Sequence, residues 1–106
     1  MKKFRVCKLD ELTEGSAKAI KVLARQIAVF NINGSIRAVD GLCQHMKAPL
    51  VTSGKLDGTR LTCKMHGWEY DITTGERIGK PFVKLRQYDV EIENGYVFVK
   101  VEINLT

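Results

Sequence analysis

The sequence predicts an all-β fold, a compact antiparallel domain of roughly eight to ten short strands. Three observations carry that prediction. Apolar and polar residues alternate over short runs such as FRVCKL and YVFVKV, the period-two pattern of a half-buried strand. Asn33-Gly34 and Asn94-Gly95 each stand between two such runs, and Asn-Gly accepts the positive φ that both central positions of a tight hairpin require. No stretch of about 11 to 18 residues spaces its apolar side chains as a helix face would.

In chain order, FRVCKL reads as the first strand, and KLDELTEG as a single helical turn. QIAVFNI and SIRAV form a hairpin around Asn33-Gly34. TRLT is a further strand, with turns at Asp57-Gly58 and at TTGE. DVEIE and YVFVKV close the fold around Asn94-Gly95. The 106 residues suit a single domain, 1–106. With 44% hydrophobic and 27% charged residues the chain reads as globular rather than disordered.

Composition also excludes function classes. The longest apolar runs are a few residues, too short for a membrane span. MKKFRVCKLDEL has no long apolar segment after its lysines and does not read as a secretory leader. Three cysteines are too few for a disulfide scaffold; thiols acting as metal ligands in a reducing compartment fit better, which makes the expected location cytoplasmic. The net charge of +5 comes from basic residues mixed with acids, without the clustered basic stripe of a nucleic-acid module.

Both histidines and two of the three cysteines fall in two short segments, Cys43-x-His45 and Cys63-x-x-His66. A predicted strand precedes each, so two loops can bring four ligands to one point. Two Cys and two His suit a structural zinc site, which would make the chain a zinc-stabilised interaction module. They also suit an iron–sulfur cluster in which two His replace two Cys on one iron. Zinc fingers usually keep like ligands together, whereas here each loop offers one of each kind.

At these residues the chain resembles the Rieske [2Fe–2S] proteins, in particular the small soluble ferredoxins that serve bacterial ring-hydroxylating oxygenases. The resemblance runs through DELTEGSAKAIKV, IAVFNINGSIRAVDGLCQHMKAPL, GKLDGTRLTCKMHGWEYDITTGE and YDVEIENGYVFV. It implies an antiparallel β-sandwich with a small cluster-binding subdomain formed by two loops. It further implies one [2Fe–2S] cluster, with Cys43 and Cys63 on the inner iron and His45 and His66 on the outer one. Gln44 and Lys64 stand where the family often has proline, and Lys47 where it often has glycine, a residue that permits left-handed backbone.

Gly67 is expected to turn the chain where a side chain would crowd the cluster. Trp68 and Tyr70 are expected to pack beneath it, and IGKPF with Pro81 to match the family's covering loop. Lys47, Lys64 and Lys80 would ring the exposed histidines and meet acidic partner surfaces. Cys7 reads as a small buried side chain. High-potential members carry a disulfide between the cluster loops and a serine two places after the second histidine; here Ala48, Met65 and Trp68 occupy those positions. Tyr70 is the remaining residue able to imitate a high-potential donor, so the expected midpoint is about −150 to 0 mV.

Both histidines are used by the cluster, which leaves none for a mononuclear iron, and no G-x-G-x-x-G marks a nucleotide site. The implied role is therefore non-enzymatic. It is that of a one-electron carrier between a flavin-dependent reductase and a terminal oxygenase, with no small-molecule substrate, nucleic acid or membrane of its own. The alternative is an electron-entry small subunit of a larger redox enzyme such as nitrite reductase.

Overall fold

The computed structural model describes residues 1–44, 47–65 and 67–102. Eleven strands are found among the described residues: β1 (Lys2–Lys8), β2 (Ala17–Val22), β3 (Arg25–Ile32), β4 (Ser35–Asp40), β5 (Gly54–Asp57), β6 (Arg60–Cys63), β7 (Glu69–Asp71), β8 (Glu76–Arg77), β9 (Lys80–Lys84), β10 (Gln87–Glu93) and β11 (Tyr96–Val101). They form two antiparallel sheets. The larger has the order β1-β11-β10-β4-β3-β2, and its edge strands β1 and β2 approach each other, curling it toward a barrel. The smaller has the order β5-β6-β7-β8-β9.

Local chemistry explains three of the hairpins. Asn33 and Gly34 have φ 54 and 90, and Asn94 and Gly95 have φ 52 and 80, so both Asn-Gly pairs occupy the two positive-φ positions expected of them. Gly58, φ 61, opens the two-residue link between β5 and β6. The single helical turn is a 3₁₀ turn at Leu9–Glu11, held by the Lys8 N–H donating to the Glu11 carboxylate at 2.9 Å. A second short helix, α1 (Leu50–Ser53), follows Pro49. It was not expected, because its four residues are too few to leave a periodic pattern.

β3 and β4 position everything else. Alternate side chains of β3 enter two different cores: Ile27 and Val29 join Val22, Ala38, Val97, Val99 and Val101 inside the curled sheet. Ala28, Phe30 and Ile32 face the other way and join Val39, Leu50, Leu61, Tyr70, Ile72 and Leu85 between the two sheets. A strand with both faces buried is the wall shared by two apolar layers, and each fully buried aliphatic side chain in them stabilises the fold by about 1.5–3 kcal/mol.

Asn31 is the buried polar exception in β3. Its Nδ2 donates to the Leu12 carbonyl at 2.7 Å, and its Oδ1 accepts from the Gly34 N–H at 2.8 Å. One side chain thereby ties the 3₁₀ segment and the hairpin turn to the shared wall. Asn31→Ala leaves both backbone groups without that partner and is expected to cost about 2 kcal/mol. Denaturant unfolding of the holoprotein measures this, and an unchanged midpoint would show that the two segments hold themselves.

Candidate metal centre

The two cysteines open two loops of matching geometry. The first loop leaves β4, passes through Cys43 and returns at the isolated bridge between Leu42 and Pro49. The second joins β6 to β7. In the first, the Cys43 N–H donates to the Ala48 carbonyl at 2.9 Å and the Lys47 N–H to the Cys43 carbonyl at 2.8 Å. In the second, the Cys63 N–H donates to the Trp68 carbonyl at 2.8 Å and the Gly67 N–H to the Cys63 carbonyl at 2.8 Å. The fourth residue after each cysteine is left-handed: Lys47 with φ 58 and Gly67 with φ 73.

Each pair of bonds closes a helix-like turn capped by an αL residue. Lys47 therefore adopts the backbone that glycine adopts in the other loop, at the cost a side chain incurs there. At Gly67 the requirement is conformational rather than one of room against the protein, because an added Cβ would meet no protein atom within 4 Å. A further bond holds the second loop: the Lys64 N–H donates to the Ser53 carbonyl at 2.7 Å, fixing that loop to α1.

Cys43 and Cys63 are 0% exposed and belong to the apolar layer between the sheets. Their depth is set by the strands that precede them, since β4 and β6 end at that layer. Among the described residues no third histidine, cysteine or carboxylate joins them; His45 and His66 lie outside the described residues. An ionised thiolate in so apolar a layer requires a compensating cation. A metal centre bound by both thiolates satisfies that requirement, and with His45 and His66 next in sequence on the same two segments the donor set fits a mixed thiolate–imidazole cluster.

Tyr70 reaches this pair. It is fully buried on β7, with its Oη 3.4 Å from Cys43 Sγ. The same oxygen accepts from the Gln44 N–H at 3.1 Å, and toward a metal-bound thiolate, which has no hydrogen to give, the hydroxyl would be the donor. Burial first, and then Cys43, push the Tyr70 hydroxyl above its ordinary value, which keeps it protonated and able to donate. Sequence spacing could not supply this reach, because it depends on the β6–β7 register that pairs Leu61 with Tyr70.

Trp68 packs half-buried against the same layer, and the Arg77 guanidinium lies over its ring at 3.5 Å from the centroid. Arg77 is the neighbour that sequence reading missed; its cross-strand position opposite Tyr70 places it there. Pro81 and Lys80 lie on the edge strand β9, both exposed. There Arg77 pairs with Lys80 while Glu76 pairs with Lys84. Pro81, Phe82 and Val83 therefore bulge out of the ladder without β8 partners, and the expected covering loop is an interruption within a strand. Lys47 and Lys64 are exposed on the two cysteine loops. Cys7 forms no disulfide and packs, half-buried, in the curled-sheet core. Burial and then Glu11 raise its thiol, which suits an inert side chain.

Comparison with known proteins agrees with this site. The sequence profile of the Rieske family, described as the Rieske [2Fe-2S] domain, matches residues 2–89. The ferredoxin component of the naphthalene 1,2-dioxygenase/salicylate 5-hydroxylase systems of Ralstonia sp is 36% identical over 95 residues, covering 89% of this chain and 90% of that one. The p-cumate 2,3-dioxygenase system ferredoxin component of Pseudomonas putida is 34% identical over 98 residues, covering 91% and 83%. Among solved structures, the ferredoxin of carbazole 1,9a-dioxygenase from Nocardioides aromaticivorans IC177 superposes with a TM-score of 0.85 at 28% identity, covering 96% of this chain and 100% of that chain. The two cysteine loops, their shared apolar floor and these likenesses lead to one conclusion: the chain belongs to the Rieske [2Fe–2S] family.

Proposed function

We propose that Cys43, Cys63, His45 and His66 hold one [2Fe–2S] cluster, and that the chain carries single electrons from a flavin-dependent reductase to a terminal oxygenase. When bound, the cluster supplies reversible one-electron chemistry. The chain's own residues set its surroundings: the apolar layer keeps water from the two sulfurs, and Tyr70 directs a hydrogen bond at Cys43. The observation that carries the reading is the pair of matched loops, each presenting a buried cysteine. Membership of the family, with relatives that are ferredoxin components, sets aside the zinc-module alternative.

The shared wall of β3 and β4 supports one domain over residues 1–106. No helix among the described residues is long and apolar enough to cross a membrane. A cytoplasmic location is our reading, because two ligand thiols have to remain reduced until the cluster is assembled.

Holoprotein made with ample iron is expected to contain about two irons per chain and to be EPR-active only when reduced. Changing Cys43, His45, Cys63 or His66 to Ala removes the normal cluster, whereas Cys7→Ser retains it. Zinc without iron in the native protein, or cluster loss in Cys7→Ser, contradicts the assignment.

The hydroxyl of Tyr70 opposes the charge that builds on the sulfurs on reduction, so it raises the midpoint. Tyr70→Phe keeps the ring and removes the donor. The midpoint is expected to fall by about 50 mV, since a one-electron shift of 59 mV corresponds to about 1.4 kcal/mol, the size of one hydrogen bond. Voltammetry of the two proteins checks it, and equal midpoints would mean that Tyr70 only packs.

Replacing Lys47, Lys64 and Lys80 together with Glu should slow electron exchange with an acidic partner severalfold at low salt, and the difference should shrink as salt rises. Stopped-flow reduction measures this; rates equal at low salt would leave the three lysines as solvating groups alone.

A further inference from the structure

The β7–β8 pairing brings one cation to the floor of the metal centre. Arg77 is the cross-strand partner of Tyr70, and directly opposed residues of an antiparallel pair stand on the same face of the sheet. Trp68 packs against the same apolar layer as Tyr70. The Arg77 guanidinium lies over the Trp68 ring, 3.5 Å from its centroid. The hairpin beyond Arg77 is tied back to β7, because the Ile78 N–H donates to the Glu69 carbonyl at 2.8 Å.

Both neighbours of Arg77 touch a cysteine. The Trp68 carbonyl accepts from the Cys63 N–H at 2.8 Å, and Tyr70 Oη lies 3.4 Å from Cys43 Sγ. One guanidinium is therefore a single residue removed from each sulfur-bearing loop. The nearest carboxylates in its own hairpin and in β7 are engaged elsewhere: Glu69 pairs with Arg60 at 3.7 Å, and Glu76 with Lys84 at 3.7 Å. Among the described residues no carboxylate forms an ion pair with Arg77. Arg77 is also half-buried, whereas Lys47, Lys64 and Lys80 are exposed. Water and salt screen its field less than theirs.

We propose that Arg77, held against Trp68, is a fixed positive charge that favours the reduced form of the bound cluster. The inference rests on the carrier reading, and adds to it a residue that sets the potential through its charge rather than through a hydrogen bond. The site gains one negative charge when an electron arrives from the reductase. A cation already in place opposes that charge without having to reorient, so it raises the midpoint.

The test is voltammetry of native holoprotein and three variants, with the iron content of each measured. Arg77→Gln removes the charge and keeps a planar group over the ring. Arg77→Met keeps an apolar chain there, and Arg77→Lys keeps the charge. At a fixed potential the ratio of reduced to oxidised protein is expected to fall about threefold in the two neutral variants. That is a midpoint lower by about 30 mV, at about 59 mV per tenfold. Arg77→Lys should stay near the native value, and the gap between native and neutral variants should narrow as salt rises. Each neutral variant tests the charge by itself, so failure of one to assemble leaves the other to decide. Native midpoints in the neutral variants overturn the proposal. So does an Arg77→Lys midpoint as low as theirs, because the shape of the guanidinium rather than its charge is then the cause. Native protein without iron overturns the carrier reading instead, a result distinct from equal midpoints at full iron content.

Discussion

The structure depends on burying two cysteine side chains in the apolar layer between its sheets. A thiol at 0% exposure behaves as a small hydrophobe, but a thiolate there is costly without a cation. The layer between the sheets therefore accommodates Cys43 and Cys63 as ligands only when a positively charged centre is bound. That constraint couples cluster loading to folding. It also fits the placing of the cysteines, Cys43 three residues beyond β4 and Cys63 at the end of β6, in that layer.

Two loops of different sequence solve the same geometric problem. Both close with a cysteine N–H bonded to the carbonyl five residues on, and both place a left-handed residue one step before it. One uses glycine and the other lysine. The backbone requirement is thus set by the fold, and side-chain identity can vary where the side chain leads to solvent. Lys47 combines the two, holding the left-handed backbone and presenting its charge to solvent.

The legible parts of the sequence were those in which local chemistry decides. Asn33-Gly34 and Asn94-Gly95 dictate their turns whatever surrounds them, and the paired Cys/His spacing is unusual enough to be read directly. Other features depend on register. Leu23 occupies a hairpin tip because Val22 pairs with Arg25, although nothing in leucine favours positive φ. Tyr70 reaches Cys43 because β6 and β7 align Leu61 with Tyr70, and Arg77 covers Trp68 because β7 and β8 align Tyr70 with Arg77. The bulge at Pro81–Val83 likewise appears only once Glu76 and Arg77 have found partners eight and three residues away. Long-range pairing is not written in any short window.

The central claim is that the two loops deliver one sulfur and one imidazole each to a single binuclear centre. Pulsed EPR of the reduced holoprotein, grown with ¹⁵N-histidine, tests this most directly. The account predicts nitrogen couplings from two directly bound imidazoles, both converted to ¹⁵N, with one lost when either His45 or His66 is replaced and a centre still assembles. Spectra without strong nitrogen coupling, or couplings that survive unlabelled, would show that the ligands are not these histidines.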